Sequence, residues 1–385
     1  MIQSLLQLFE NKEARAAGLI FALNSILFGS WITRIPEVKA NLDMSEGILG
    51  LALLGLPLGA LLSMPFTSWL VSRYGAGKVT FYSAVVYLLA VVWPVLAPNF
   101  ISLLLALTLM GLGAGATDIA MNASIAAVER KDSISVMSTS HGLFSLGGML
   151  GAGLAGLIIW LGISSFFHML GMTLLMLVLL LAVRSHLVAI ADHTASEATF
   201  ALPSRALIGL AFISFCSMMG EGAIADWSGV YLEETLLSEG YLVGFGFAGF
   251  SLTMALGRFY GDQIIPKWGP RSIVRVGGLI IFVGLGLALV WPEPWIAILG
   301  FTLAGLGFSC LIPVVFGQAA KVPGMAPATS IAAVASLGYL GFLLGPPVIG
   351  FVADRFGLVA GLGLIVGMSI LLVAGTYLSG PRPKV

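Results

Sequence analysis

Long apolar segments separated by short polar loops recur along the whole sequence, and they restrict the chain to one class of fold. Of the 385 residues, 58% are apolar and only 9% are charged, against about 25% charged residues in ordinary soluble domains. At about 20 residues per membrane span, we count twelve segments. They are too long and continuous for the short alternating strands of a β-barrel. The sequence therefore predicts an all-α membrane protein with twelve transmembrane helices in the lipid bilayer.

The predicted segments form two groups of six around a polar stretch. The first group covers 15–36, 45–70, 79–97, 100–128, 134–161 and 164–184, and the second covers 206–232, 241–264, 273–291, 295–320, 328–352 and 358–379. We therefore expect an amino-terminal six-helix bundle over 1–184, a cytoplasmic linker over 185–204 and a carboxy-terminal six-helix bundle over 205–385. The first residues form an amphipathic lead-in without a cleavable signal-peptide pattern.

Lysine and arginine placement predicts the orientation, because cytoplasmic loops carry an excess of these residues. With the amino terminus inside, all 18 except Arg34, Lys39 and Arg355 fall on the cytoplasmic side, and Arg258 is counted there. Both termini are therefore expected in the cytoplasm.

Charge and cysteine usage argue against several function classes. The net charge is zero and the basic residues lie in short loops, so we expect no nucleic-acid partner. Cys216 and Cys310 stand in apolar runs without CxxC or Cys/His spacing, which predicts neither a disulfide nor a metal site. We find no nucleophile–base set and no Walker motif, so we expect no enzyme, no ATP-driven pump and no cofactor.

The two halves are related as a repeat. Short glycine motifs recur 194 residues later, namely Gly111-Leu-Gly as Gly305-Leu-Gly, Gly147 as Gly341 and Gly151 as Gly345. Because each half has an even number of helices, both lie the same way up in the membrane. Repeats of this kind place a solute site between the halves, near the bilayer midplane.

A loop motif that occurs in both halves resembles the motif of a known family. Arg73-Tyr-Gly75-Ala-Gly-Lys78 and its counterpart, Gly261-Asp262 followed by Lys267-Trp-Gly269-Pro-Arg271, resemble the loop motif of the major facilitator superfamily after its second and eighth helices. We take Arg73, Gly75, Asp262 and Gly269 as gating residues on that resemblance. Ser68 and Ser72 replace the glycine and aspartate of the motif, which puts the inter-half charge lock on that side in question.

The fourth predicted segment, together with three other short motifs, resembles particular branches of this superfamily. Gly113-x-Gly115-x-x-Asp118-x-x-x-Asn122 is similar to the fucose-permease branch. WITRIP (31–36), DIAMNAS (118–124), HGLFSLGG (141–148) and EGAIADWS (221–228) are similar to bacterial inner-membrane transporters of the YbjJ type. The resemblance implies a monomer in the bacterial inner membrane that rocks its halves around a central site. Fucose permease has an acid in its first helix, where this sequence reads Ser30-Trp31-Ile32, so fucose is a less expected substrate.

Three acids lie inside the predicted spans: Asp118, Glu221 and Asp226. Gly111, Asp118 and Asn122 fall on one helix face, and we expect no lysine or arginine at equal depth. Burial without a cation favours the neutral form of a carboxyl group, so Asp118 suits a proton- or substrate-binding role. The alternative is an acid that holds neighbouring helices together. Its repeat counterpart is Ile312, so the scaffold itself does not require an acid.

The other ionisable candidates leave more alternatives open. His141 has a predicted depth close to that of Asp118, so an Asp–His pair and a structural histidine at a cytoplasmic gate are both compatible with it. Glu221 and Asp226 are five residues apart and therefore point about 140° apart on a helix. In one interpretation, one of these acids faces the cavity and the other braces the outer end of the helix against Arg34. In the other interpretation, both acids make structural hydrogen bonds.

Five further positions complete the predicted lining, because the resemblance places the first, fourth, seventh and tenth helices around the cavity: Asn24, Trp31, Asn122, Trp227 and Gln318. Amides beside indole faces suit a polar solute with an apolar face, although tryptophan is also common at membrane interfaces.

The sequence thus predicts a secondary transporter that moves a small polar organic solute, sugar-like in character, together with protons. The alternatives are proton-coupled export of amphipathic compounds, which a large aromatic or methionine-lined cavity would favour, and a membrane sensor that transports nothing.

Overall fold

The computed structural model describes residues 2–193 and 202–378, and within them it contains twelve helices able to cross a membrane. After α1 (Ile2–Glu10), the first bundle consists of α2 (Lys12–Asn41), α3 (Glu46–Leu53), α4 (Gly55–Tyr74), α5 (Ala76–Ala90), α6 (Phe100–Asp132), α7 (Met137–Trp160) and α8 (Ser165–Val188). The second consists of α9 (Ile208–Val230), α10 (Val243–Trp268), α11 (Pro270–Val290), α12 (Pro294–Phe308), α13 (Leu311–Ala319), α14 (Pro327–Phe356) and α15 (Leu358–Leu378).

The predicted number of spans is confirmed, and the differences lie in breaks and lengths. The second span is divided at Leu54 into α3 and α4, and the tenth is divided before Leu311 into α12 and α13. The sixth span continues to Val188, beyond its predicted end at residue 184. The seventh ends in a π-helical turn over Tyr231–Thr235. Hydropathy predicts where a span lies, but it does not predict a local break in the helix backbone within that span.

Side-chain caps fix the ends of several helices by satisfying backbone groups that the helix leaves unpaired. The Asn11 side chain accepts hydrogen bonds from the amides of Glu13 and Ala14 at the start of α2. Glu129, in the last turns of α6, accepts from the Val136 and Met137 amides at 2.6 and 2.7 Å. Glu129 therefore joins the end of α6 to the start of α7.

Glycines let the helices touch backbone to backbone, and the contacts repeat between the halves. A Cβ atom on Gly111 would overlap the carbonyl oxygen of Leu56, and one on Gly305 would overlap that of Phe250. Phe250 follows Leu56 by the same 194 residues that separate the two glycines. The sequence repeat is therefore a repeat of helix packing.

The two bundles meet unevenly across the membrane. We call the face where α2 begins at Lys12 and α15 ends at Leu378 the terminal face, and the opposite one the far face. In the half nearer the far face, α14 packs on α3 so closely that Gly50 lies against the Pro346 carbonyl and Gly350 against that of Glu46. Because α14 contacts mainly α3 rather than α4, this state is closed at the far face, and α4 and α14 separate towards the terminal face.

Replacing Gly111 by alanine is expected to lower the melting temperature of the purified protein, because the new methyl group must displace the backbone at Leu56. Overpacking of this kind costs about 1–3 kcal/mol. Gly153 on α7 has no neighbouring atom within 4 Å of its Cβ position, so Gly153→Ala is the matched control. Thermal unfolding in detergent checks this, and equal melting temperatures for the two variants would contradict the packing described.

Candidate functional site

A series of polar residues crosses the contact between the bundles. We call it the interface chain, and its members are Asp118, Asn122, His141, Ser145, Arg258, Glu221 and Ser217. One step runs through the backbone, because Ser145 Oγ donates to the His141 carbonyl oxygen at 3.3 Å. The first four belong to α6 and α7 of the first bundle, and the last three to α9 and α10 of the second. The chain therefore joins two of the three acids that the sequence singled out.

On the first bundle, an amide connects the acid to the histidine. Asn122 Nδ2 donates to the Asp118 backbone oxygen at 2.8 Å and lies 3.4 Å from its Oδ1. Asn122 Oδ1 then faces His141 Nε2 at 3.1 Å. Because Asn122 uses its NH₂ group towards Asp118, its oxygen is the acceptor and His141 Nε2 carries the hydrogen. Asn122 thus stands between the residues for which a direct Asp–His pair was one prediction.

On the second bundle, an arginine contacts both halves. Arg258 Nη1 donates to Ser145 Oγ at 3.3 Å across the interface, and Arg258 Nη2 lies 3.7 Å from Glu221 Oε2. Ser217 Oγ donates to Glu221 Oε1 at 3.3 Å. The Arg258 and Glu221 side chains are only 23% and 16% exposed.

The expectation that no cation shares the depth of the acids is therefore wrong, as is the placement of Arg258 among the cytoplasmic residues. The reason is the length of α10, which continues to Trp268, about 15 Å beyond Arg258 at 1.5 Å per residue. The predicted span over 241–264 already contained Arg258, so its position in that span was the available signal.

Asp118 and Asp226 differ from Glu221 in having no ion pair within the described part of the chain. Both are half-buried. Asp118 lies near Tyr339 of the other bundle. Asp226 shares a helix face with Gly222, which packs on Phe342 of α14. It therefore points away from the Arg258 side, as the spacing from Glu221 predicts.

Arg34 does not brace Asp226, which corrects that interpretation. It is 3% exposed and its guanidinium is bound within the first bundle. Arg34 Nε donates to His168 Nδ1 at 3.1 Å and Nη2 to the Ile163 carbonyl at 2.8 Å, and Nη1 pairs with Glu37 at 2.5 Å.

Four predicted lining residues lie elsewhere in this state. Asn24 faces Tyr87 and Thr117 in a small cavity inside the first bundle. Trp31 follows Asn24 by seven residues, so it occupies the same face, and it is 2% exposed. Because α2 is buried on nearly all sides, its sequence has only a weak amphipathic pattern. Sequence periodicity therefore could not predict which way Asn24 and Trp31 point.

The other two lie in the second bundle. Trp227 is fully buried and its indole nitrogen has no hydrogen-bond partner among the described residues. It shares a face with Gly220, which packs on Phe308 and Ile365 of its own bundle. Gln318 stands one residue before the end of α13, at the terminal face rather than at mid-membrane.

Three ionic side chains at the far face form a second polar feature, which the sequence interpretation missed. Lys39 Nζ lies 2.6 Å from Glu234 Oε2 of the second bundle and 3.4 Å from Glu46 Oε1 of the first. We call Lys39, Glu46 and Glu234 the far-face gate. Lys39 was one of the few basic residues assigned to that side, which was the signal available in the sequence.

The loop motif has the same backbone form in both halves. Gly75 and Gly269 have φ angles of 87° and 78°, a region that glycine adopts readily, and each ends one helix and begins the next. The Arg73 guanidinium lies over the rings of Trp69 and Tyr74 at 5.6 and 5.7 Å, all within the first bundle. The Asp262 side chain lies outside the described residues.

No group of three or more His, Cys, Asp or Glu side chains is placed to bind a metal ion within 2–193 and 202–378. The chemistry that the interface chain offers is binding and proton transfer. The carboxyl groups of Asp118 and Glu221 and the imidazole of His141 belong to chemical types that can gain and lose a proton, whereas the Arg258 guanidinium stays positively charged.

A family model described as the Major Facilitator Superfamily matches residues 17–324 and 210–385. The chain belongs to this superfamily. A Yersinia pestis protein named as an uncharacterized MFS-type transporter is 31% identical over 93% of this chain and 93% of its own length. An uncharacterized transporter of Sinorhizobium fredii is 33% identical over 88% of this chain and 90% of its own.

Solved structures agree on the superfamily fold. A variant of the nucleoside transporter NupG has a TM-score of 0.74 and 13% identity, over 95% of this chain and 99% of its own. The family model and the relatives identify the protein as a multi-pass membrane transporter of the Major Facilitator Superfamily and not an enzyme.

Proposed function

We propose that this protein is a proton-coupled secondary transporter that moves a small polar organic solute, sugar-like in its hydroxyl groups, by alternating access. The observation that carries the proposal is the interface chain, because it connects proton-binding groups of both bundles at the contact that must change during transport. A substrate placed there touches both halves at once.

The asymmetry of the bundle contacts supports the proposed alternating access. The far-face gate and the packing of α3 on α14 close one side, while α4 and α14 diverge towards the terminal face. We assign the terminal face to the cytoplasm on the distribution of lysine and arginine. In this proposal, residues 1–184 and 205–385 rock as two units joined by the linker over 185–204, in a monomer of the bacterial inner membrane. The sequence motifs favour the fucose-permease branch.

The coupled proton belongs on Asp118 in this proposal. An acid at membrane depth is costly when charged, and Asp118 has no ion pair with the described residues to offset that cost. It therefore takes up a proton when buried and releases it when water reaches it. The absence of an acid at the repeat position, Ile312, supports a functional rather than a packing role.

An aromatic contact across the interface favours a second candidate, export of amphipathic compounds. Phe28 of the first bundle meets Phe247 of the second edge to face, with centroids 6.2 Å apart. An apolar surface between the halves would suit a solute with a large apolar part. The polar and apolar candidates are separated by the chemistry of the solutes that the protein accumulates.

Purified protein screened by thermal shift against polar and amphipathic solutes is expected to be stabilised by members of the polar class. A solute present at about 100 times its dissociation constant adds about 2.7 kcal/mol. The same solutes should then accumulate in proteoliposomes under an imposed pH gradient and should stop accumulating when the gradient is collapsed. Accumulation of amphipathic compounds alone would support the second candidate. A membrane sensor would move no solute in either class, which would contradict the proposal.

A further inference from the structure

The amino-terminal helix α1 has an apolar side that the first bundle covers only in part. The residues of this side span about 160° of the helix circumference at 3.6 residues per turn, in the order Leu8, Leu5, Phe9 and Leu6. Gln7 lies opposite the middle of this arc. Leu8, at one edge, is 1% exposed, whereas Leu6 and Phe9 are 54% and 53% exposed. We call Leu6 and Phe9 the outer edge of α1.

The covered edge of α1 lies between two membrane spans. A Cβ atom on Gly18 of α2 would lie 3.0 Å from Leu8 Cδ1 and 3.5 Å from Leu143 Cδ1 of α7. A continuous straight helix would separate Leu8 from Gly18 by about 15 Å. Because the two residues are in contact instead, α1 folds back beside the first turns of α2.

The position of Gly18 indicates how deep α1 lies in the membrane. The 30 residues of α2 extend over about 45 Å at 1.5 Å per residue, which is about the thickness of a bilayer with its head groups. A hydrocarbon core of about 30 Å centred on α2 leaves about five residues outside it at each end. Gly18 and Leu143 each stand six residues after the first residue of their helix. Leu8 therefore lies near the boundary between the hydrocarbon and the head groups.

Cations lie beside the outer edge of α1. Lys12 and Arg15 are exposed, and Arg15 Nη1 donates to the Phe9 carbonyl oxygen at 3.0 Å. Exposed apolar side chains at this depth, with lysine and arginine next to them, are typical of helices that lie in the plane of the membrane surface. The phosphate groups of phospholipids are opposite in charge to these two side chains.

We propose that the outer edge of α1 binds the phospholipid surface of the leaflet at the terminal face, with Leu6 and Phe9 inserted between the head groups and the hydrocarbon. The opposite side of α1, which carries Gln7, then faces water. Insertion is favourable because it removes two large apolar side chains from water. Lipid surrounds the spans at this depth, so the outer edge needs no protein partner. Through Leu8, the surface helix is attached to both α2 and α7.

The test places an environment-sensitive fluorophore on one introduced cysteine of the full-length protein, in nanodiscs that hold one protein molecule each. Cys216 and Cys310 are buried, so the label reacts mainly with the introduced cysteine. Phe9→Cys and Leu6→Cys report on the outer edge, and Gln7→Cys on the same helix is the matched control. We expect the labels at the outer edge to emit at shorter wavelength than the control label. Phospholipids brominated on the first carbons of their acyl chains should quench them more strongly.

Two results would overturn the inference. In the first, emission and quenching are equal at the three labelled positions, which would place the outer edge in water. In the second, the labels at Phe9 and Leu6 emit at short wavelength but brominated lipid does not quench them, so that another part of the protein covers the outer edge. Leu6→Cys gives an independent reading if Phe9→Cys does not fold. Neither reading involves transport, so a failure of the transport proposal would leave this inference standing.

Discussion

Replacing Glu234 by lysine will open the far face and expose the helix contact behind it. The substitution places two cations where Lys39 now bonds Glu234 at 2.6 Å across the bundles. The Lys39 and Glu234 side chains are 10% and 33% exposed. Their interaction should therefore lie between the ~0.5 kcal/mol of an exposed pair and the ~3 kcal/mol lost on breaking a buried one. A loss of about 1.4 kcal/mol, which lies in this range, raises the population of molecules open at the far face tenfold.

Thr33 is a suitable reporter of that opening. It is 2% exposed, and it lies where α2 of one bundle meets Gly244 on α10 of the other. A Thr33→Cys substitution labelled with a membrane-impermeant maleimide should react about tenfold faster when Glu234→Lys is added. The native cysteines, Cys216 and Cys310, are buried, so they contribute little background.

A charge exchange provides the rescue and a second pair provides the control. Lys39→Glu combined with Glu234→Lys restores opposite charges and should return labelling to the slow rate. Glu13→Lys breaks a 2.7 Å pair with Lys131 that lies wholly within the first bundle, so it should leave Thr33→Cys labelling unchanged. Equal labelling in all of these variants would show that the far-face gate does not hold the bundles together.

The fold was largely predictable because its determinants are long and repetitive. The twelve apolar segments and the glycine repeat follow from composition and spacing. Helix ends were less accurate, because capping contacts such as that of Glu129 depend on neighbours seven and eight residues away. The predicted bundle and linker boundaries remain predictions, since part of the linker lies outside the described residues.

The site was predicted only in part, because the sequence of a helix that is buried on all sides does not show which of its faces points into the cavity. Asp118, Asn122, His141 and Glu221 were singled out and do lie in one polar series. Asn24, Trp31 and Trp227 were placed in the cavity on helix membership alone, and they face the interior of their own bundles. Arg258 was missed because a basic residue near a predicted span end was read as a loop residue.

Replacing Asp118 by asparagine will abolish proton-driven accumulation while leaving the protein folded. Asparagine has the shape of aspartate and keeps an oxygen to accept from Asn122 Nδ2, but it cannot take up or release a proton. Packing around α6 is unchanged, so the melting temperature should shift little. Exchange of solute between the two sides at equal pH should persist, because that process needs no net proton movement.

The matched control is Asp132→Asn on the same helix. Asp132 is exposed and accepts a hydrogen bond from Asn11 Nδ2 at 2.6 Å, so the variant has the same chemistry without the membrane depth. It should accumulate solute as the unchanged protein does. Loss of accumulation in both variants would indicate a general defect rather than a specific role of Asp118.

The most direct test records proton movement itself, with a pH-sensitive dye trapped in proteoliposomes and a transported solute added outside at equal pH. The unchanged protein and Asp132→Asn are expected to change the internal pH when solute is added, and Asp118→Asn is expected to leave it constant while still exchanging solute. A pH change of normal size and rate in Asp118→Asn would contradict the assignment of the coupled proton to Asp118.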